Sequence, residues 1–224
     1  MEWDIKHGPE FDLLDPAARR RLLSFVAEAK CVHLGTPCTS FSGARRGHPG
    51  APGGPIRTKQ YPMGIPNPQP QDVKKIQDGN RMLRLTVDII KMCRRLKIPV
   101  MMENPRRSRI WWTPSLRPLV ECSVQVHVDY CQFNMPWQKP TTFAVWGMPS
   151  LAEVGAQCHR TDGRCSVTGR RHRRLEGRAP NKCNWTLVAE PYPWQLVFQI
   201  AQHVTGKAAH AARSPANSDD LGGK

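Results

Sequence analysis

Two apolar segments that each end in a reactive polar residue set the strongest limits on how this chain folds. Residues 31–34 break into a loop that carries Cys38, and residues 98–102 run directly into Glu103. Short apolar runs bounded by turn residues are typical of buried strands. Because ligands of open α/β sheets bind beyond the carboxyl ends of the strands, we expect this thiol and this carboxylate to share one pocket.

Two stretches with helical periodicity surround the first of these strands. Residues 15–29 open with Asp-Pro, a typical helix start, and place apolar side chains opposite an arginine-rich face. From residue 71 to residue 97 an apolar stripe recurs at helical spacing, and Gly79-Asn80 predicts a division into a short helix and a longer one. Strands that alternate with helices predict an α/β domain with three layers.

Shorter patterns complete the predicted architecture. Residues 123–128 alternate valines with polar residues and predict a half-buried strand, and residues 142–146 predict another. Residues 3–5 have the character of the end of a strand. Residues 191–205 predict a closing helix that packs on the core, while the small polar residues of 206–224 predict a disordered tail.

Composition limits the partners and the setting. The 224 residues suffice for one core, and the 33 Lys+Arg against 18 Asp+Glu give a formal net charge of +15. Such a charge favours a polyanion partner, DNA in particular; the alternative is a basic protein with a well-solvated surface. The eight cysteines are too few for a disulfide scaffold, the start of the chain does not resemble a signal peptide, and no segment matches a membrane span. We therefore expect an intracellular protein without a membrane partner, in the nucleus or the cytoplasm.

The residues around the expected pocket resemble the DNA (cytosine-5) methyltransferase family. The resemblance rests on Pro37-Cys38 with Ser40-Phe41-Ser42 and on Glu103-Asn104 about one helix and one strand later, and it covers roughly residues 1–150. It implies a class I methyltransferase Rossmann-like three-layer sandwich. In that fold Cys38 would be the nucleophile and Glu103 the carboxylate that grips the base, with Pro37 and Asn104 shaping the base pocket and nearby arginines lowering the pKa of the thiol.

The same resemblance assigns further roles. Lys139 and Thr141 stand where the family has the two arginines of a Gln-x-Arg-x-Arg motif, which support the flipped cytosine. Asp4 and Asp12 resemble the acidic residues that hold S-adenosylmethionine; the alternative is a local role for each, at the surface and in a turn. The implied activity is S-adenosylmethionine-dependent methylation of DNA cytosine at ring carbon 5.

One part of the family pattern has no counterpart in this sequence. The family's cofactor site begins with a Gly-rich Phe-x-Gly-x-Gly turn, and nothing of the kind precedes Asp4. The resemblance therefore implies an incomplete core. Three explanations remain open: a truncated gene product, a partner chain that supplies the missing half, or a chain that no longer methylates.

Basic segments predict where DNA would lie. Residues 43–70 form a long Pro/Gly loop directly after Cys38 and resemble the family's mobile catalytic loop, with a disordered linker as the alternative. Arginines also follow Glu103 and cluster late in the chain. The side chains expected to contact phosphate are Arg45, Arg46, Arg106, Arg107, Arg170 and Arg171.

Residues 151–190 differ in character from the core and predict a small basic module. Cys158, Cys165 and His172 recur there among glycines and arginines, a pattern that suits a zinc ion or, alternatively, a flexible basic segment. Its position matches the family's target-recognition region. The sequence thus leaves two alternatives to methylation: a non-catalytic DNA-binding module and a zinc-stabilised interaction protein.

Overall fold

A single four-stranded sheet organises the chain in the computed structural model, which describes residues 2–43, 45, 47–160 and 162–206. Its strands, in the spatial order β1-β2-β4-β3, are β1 (Val32–Gly35), β2 (Val100–Pro105), β3 (Val124–Asp129) and β4 (Pro140–Trp146). Strands β1 and β2 are parallel, and β4 is antiparallel to both of its neighbours. The carboxyl ends of β1, β2 and β3 therefore meet at one edge of the sheet, together with the amino end of β4.

Helices cover both faces of this sheet, and the alternation of side chains along β2 divides the core between them. The helices are α1 (Pro16–Ala27), α2 (Pro70–Leu96), α3 (Arg117–Glu121), α4 (Trp185–Val188) and α5 (Trp194–Val204). Val100 and Met102 belong to a buried cluster with α1 and α2, whereas Met101 belongs to a second cluster with Leu196 of α5. The expected α/β class is confirmed, with a mixed sheet.

Helix α2 is continuous over 27 residues, so the predicted division at Gly79-Asn80 is wrong. Gly79 lies where the helix passes close to the loop after β1. A Cβ atom at this position would collide with the Ser40 hydroxyl and lie 2.9 Å from a guanidinium nitrogen of Arg57. The glycine permits a close approach between two elements and does not break the helix.

The start of the chain also differs from its prediction. Residues 3–5, expected to end a strand, instead lead into a short 3₁₀ helix, Ile5–His7, whose first turn is capped by the Asp4 carboxylate. The predicted helix after Asp15 is present, and the Asp15 carboxylate accepts hydrogen bonds from the first-turn amides of α1. Local capping decides both structures.

A buried arginine holds the long loop before α2 in place. Arg57 is 1% exposed and donates to the carbonyl oxygens of Pro62 and Ile76 and to the side chains of Ser40 and Asn80. Its guanidinium carbon also lies 3.8 Å from the centre of the Phe41 ring. These contacts fasten the loop to α2 and to the segment that carries Cys38.

No helix within the described ranges has both the length and the apolar character needed to cross a bilayer. The expected tail falls outside the described residues from position 207 onward, and Arg46 lies outside them as well.

Candidate active site and metal-ligand cluster

The ends of β1 and β2 are tied together by a buried amide. Asn104 is fully buried, and its Nδ2 atom donates to the Thr36 carbonyl oxygen at 2.7 Å. The hydroxyl groups of Thr36 and Thr86 lie 2.8 Å apart and link the same loop to α2. Asn104 therefore fixes the start of the Cys38 loop relative to the strand that carries Glu103.

Cys38, Glu103 and Lys139 come together at this edge, and their charges act on one another. Burial raises the pKa of the Cys38 thiol, and the negative charge of Glu103 raises it further, whereas Lys139 opposes the shift. The expectation that arginines lower this pKa is wrong, because the nearby cation is Lys139 and its effect is smaller than that of burial. The thiol needs a further change in its surroundings to ionise at neutral pH.

Glu103 is half-buried, and its surroundings make its carboxyl group easier to protonate than it is in water. Burial raises the pKa of its carboxyl group, while Lys139 and a hydrogen bond with the Tyr192 hydroxyl lower it. A carboxyl group with a raised pKa can donate a proton in a hydrogen bond to a substrate nitrogen.

Lys139 contacts the residues just after α4 as well as acting on Cys38 and Glu103. Its ammonium group donates to the carbonyl oxygens of Ala189 and Glu190, at 2.7 and 3.2 Å, and lies 4.6 Å from the centre of the Tyr130 ring. Thr141 is fully buried and donates to the Lys139 carbonyl oxygen. Of the two positions that resemble the family's arginines, Lys139 therefore acts on Glu103, whereas Thr141 lies opposite Pro105 and bonds to the backbone.

Tyr192 completes the pocket and was not predicted from the sequence. Its hydroxyl group lies 3.0 Å from Nε2 of His33, on β1, and also interacts with Glu103. A histidine in an otherwise apolar strand and a tyrosine between two prolines were the only local hints. Neither hint indicates that Tyr192, so far along the sequence, reaches both His33 and the Glu103 carboxyl group.

Asp4 and Asp12 carry out local roles in the structure. The Asp4 carboxylate accepts from the Lys6 amide and pairs with the Lys6 ammonium group, and Asp12 accepts from the Leu14 amide. Lys6 in turn reaches Glu190, with 3.5 Å between the ammonium nitrogen and a carboxylate oxygen. The start of the chain therefore lies near Glu190, beside the Cys38 site. The carboxylates of Asp4 and Asp12 already have hydrogen-bond partners within the first residues.

The predicted phosphate-binding arginines fall into two groups. Arg45 makes a two-pronged ion pair with the buried carboxylate of Asp72, and Arg106 pairs with buried Asp129 at 2.8 Å. A phosphate would have to compete with these carboxylates. The remaining described members of the set are exposed, and they are Arg107, Arg170 and Arg171.

Asp129 connects Arg106, at the end of β2, with the basic segment, residues 158–174. This carboxylate is 1% exposed and binds Arg106 through one oxygen; the other accepts from the Gln138 side chain at 3.0 Å and from the Cys158 amide at 2.8 Å. Gln138 directly precedes Lys139. One buried carboxylate thus joins the end of β2, the segment before β4 and the start of the basic segment.

Four potential metal ligands meet next to Asp129. The sulfur atoms of Cys131, Cys158 and Cys165 and a ring nitrogen of His172 all lie within 4.8 Å of one another. The sequence predicted three of the four. Cys131 was missed because it belongs to the core, in the 3₁₀ turn after β3, and no short spacing connects it with the others.

Hydrogen bonds to sulfur surround this cluster. The amides of Ser166 and Val167 donate to the sulfurs of Cys158 and Cys165, at 3.3 and 3.4 Å. Burial opposes ionisation of Cys165, yet the amides of Thr168 and Val167 lower the pKa of this thiol to about 6. Donors directed at sulfur stabilise thiolates, the form in which cysteine binds metals.

No family model, curated protein or solved structure matches this chain.

Proposed function

We propose that the chain carries the nucleophile half of a DNA cytosine-5 methyltransferase. The observation that supports this best is the group formed by Cys38, Glu103 and Lys139 where β1, β2 and β4 meet. A thiol beside a carboxyl group of raised pKa is suited to adding to a ring carbon while the ring nitrogen receives a hydrogen bond.

The proposed reaction begins when the Cys38 thiol gives its proton to the Glu103 carboxylate. The Cys38 thiolate forms a bond to carbon 6 of cytosine, and the protonated Glu103 donates to ring nitrogen 3, so that the electron pair of the 5,6 double bond makes carbon 5 nucleophilic. S-adenosylmethionine, when bound, supplies the methyl group. A water molecule then takes the proton from carbon 5, and the electron pair of that bond restores the double bond and expels the Cys38 thiolate. The cytosine must leave the duplex, at a cost of a few kcal/mol.

We further propose that another segment or a partner chain supplies most of the cofactor site. Asp4 and Asp12, which resemble the family's cofactor-binding residues, are committed to local hydrogen bonds. Within the described residues β1 pairs on one side only, with β2. Its other side offers backbone groups to which a further strand can bind, directly beside the Cys38 loop.

The chemistry can be tested without the cofactor. Addition of Cys38 to carbon 6 makes carbon 5 exchange its hydrogen with solvent, so DNA with tritium at carbon 5 of cytosine should release tritiated water. We expect Cys38→Ser to abolish this release, while Cys122→Ser, at an exposed cysteine, leaves it unchanged. Release that persists in Cys38→Ser, or is absent from the folded wild type, would contradict the proposed nucleophile.

A non-catalytic DNA-binding role is the second candidate, and the charge distribution favours it. The net charge is +15, and Arg170 and Arg171 are exposed in the basic segment. Under this alternative Cys38→Ser leaves DNA affinity unchanged and no hydrogen exchange occurs in the wild type.

For the four-residue cluster we propose zinc as the bound ion. Three thiols and one imidazole form a donor set typical of structural zinc sites, and calcium and magnesium prefer oxygen ligands. The expected sulfur-to-sulfur separation in a tetrahedral site with bonds of about 2.3 Å is about 3.8 Å. All four donor atoms lie within 4.8 Å of one another, a compact arrangement that fits one ion.

A further inference from the structure

We infer that the metal ion at this cluster clamps the basic segment, residues 158–174, onto the wall of the pocket. This inference rests on the proposed zinc but not on the proposed methylation. The ligands come from two parts of the chain: Cys131 belongs to the core, whereas Cys158, Cys165 and His172 belong to the segment. An ion bound by all four joins the two parts.

Apart from the ligands, polar contacts hold the segment to the core: the Cys158 amide donates to Asp129, the Gln132 side chain to Ser166, and the Arg173 amide to the Pro136 carbonyl oxygen. Among its described residues only Cys165 is buried, and the remaining side chains are exposed or half-exposed. Its folding therefore lacks the apolar burial that stabilises a larger domain. Small core-poor units of this kind obtain their folding free energy from a bound metal, because the ligands are brought together only in the folded state.

The local backbone is already shaped around the ligands. Residues Arg164 and Arg171 pair as an antiparallel bridge, so that Cys165 and His172, one position after each, lie on the same face of a short hairpin. The Cys158 sulfur lies 3.8 Å from Nε2 of His172, against about 3.6 Å expected for sulfur and nitrogen on one tetrahedral zinc. The Gln132 side chain donates to the Cys131 sulfur from the core side. Hydrogen bonds thus orient ligands from both parts.

A short series of contacts connects the metal ligands with the site that holds Cys38 and Glu103. Cys131 follows Asp129 by two positions, and the Asp129 carboxylate accepts from the Cys158 amide and from Gln138. Gln138 precedes Lys139, the cation beside Cys38 and Glu103. Release of the ion would free Cys158, remove one of the Asp129 hydrogen bonds and loosen the support of Lys139.

The first test measures metal content and protection from trypsin on the full chain. Protein purified without added metal should contain about one equivalent of zinc, and the segment should resist trypsin although it is rich in arginine. Cys131→Ser should lose the zinc and be cut within residues 158–174. Cys183→Ser, which removes an exposed cysteine outside the cluster, should behave as the wild type.

A second measurement keeps the inference testable if Cys131→Ser does not fold. Wild-type protein treated with a chelator should become sensitive to trypsin in the segment, regain protection when zinc is restored, and show the absorption of a tetrahedral thiolate site with cobalt. The alkylation rate of Cys38 should change on metal removal and recover with zinc.

Three results would overturn the clamp: a disulfide between two cluster cysteines in the native protein, a full equivalent of zinc in folded Cys131→Ser, or protection from trypsin that does not depend on metal. None of these measurements involves cytosine, DNA or S-adenosylmethionine. Failure of the clamp can therefore be told apart from failure of the proposed reaction.

Discussion

At the scale of single residues, the pocket contains more potential negative charge than positive charge. Lys139 is the cation that acts on both Cys38 and Glu103, and Glu190 adds another carboxylate nearby. Ionising the thiol and the Glu103 carboxyl group together is therefore unfavourable, because like charges in a half-buried site each disfavour the other. A thiolate is favoured when Glu103 holds its proton. This is the combination that addition to cytosine requires.

The substitution Glu103→Gln tests this coupling. Because the charge of Glu103 raises the pKa of Cys38, its removal should lower that pKa and increase the thiolate fraction at pH 8. The alkylation of Cys38 by iodoacetamide, followed by mass spectrometry, should speed up, by about tenfold for each unit by which the pKa falls.

Glu121→Gln is the control, since Glu121 is exposed and pairs with Arg117 on α3. It should leave the alkylation rate of Cys38 unchanged. A rate in Glu103→Gln that equals or falls below that of the wild type would show that the two groups do not share an electrostatic environment.

At the scale of elements, the structure follows the sequence wherever a local pattern decides it. Strands β1 and β2 follow from short apolar runs, and α1 follows from its capping aspartate and its apolar side. The 3₁₀ turn at the start of the chain and the continuity of α2 could not be predicted from local patterns of this kind. A glycine within a helical pattern has the same appearance whether it ends the helix or makes room for a neighbour, and only the position of Ser40 and Arg57 decides between the two.

The substitution Gly79→Ala should destabilise the protein although alanine is the better helix former. Helix propensity favours the change by about 1 kcal/mol. The new Cβ atom, however, meets the Ser40 hydroxyl and Arg57, which are held by a mutual hydrogen bond and cannot withdraw freely. We expect a net loss of about 1–3 kcal/mol in the free energy of unfolding, measured by urea denaturation.

Gln77→Ala, at an exposed position of α2, is the matched control and should have little effect. Adding Ser40→Ala to Gly79→Ala should recover part of the loss, because it removes the atom nearest to the new methyl group. If Gly79→Ala stabilises the protein, the contact between α2 and the Cys38 loop is not as close as described.

At the scale of the whole molecule, the pocket and the cluster are assembled from residues that are distant in the sequence. Cys38 and Glu103 were predictable because each comes soon after a short apolar run, and the carboxyl ends of parallel strands meet at one edge of the sheet. Tyr192 and Cys131 were not, because each reaches its site through the packing of elements that no local pattern relates. The sequence also indicated arginines without showing that Arg45 and Arg106 have buried partners.

The exposed arginines of the basic segment lead to a prediction about salt. If Arg170 and Arg171 each neutralise one phosphate, replacing both with alanine should reduce the slope of log affinity against log salt concentration by roughly 2. Fluorescence anisotropy with labelled duplex DNA at several salt concentrations measures this slope.

The double substitution of Arg94 and Arg95, at the exposed end of α2, changes the net charge equally and serves as the control. It should leave the slope nearly unchanged. Equal reductions in the two variants would mean that the total charge, and not the basic segment, determines DNA affinity.

The buried carboxylate of Asp129 also limits how this protein can vary over evolutionary time. It accepts hydrogen bonds from Arg106, Gln138 and the Cys158 backbone amide at once, so a change at Asp129, Arg106 or Gln138 leaves a buried charge or donor without its partner. Natural variants should therefore retain Asp129, Arg106 and Gln138 as a set or replace them together. The pocket and the basic segment are then inherited as one unit and cannot be exchanged separately between related chains.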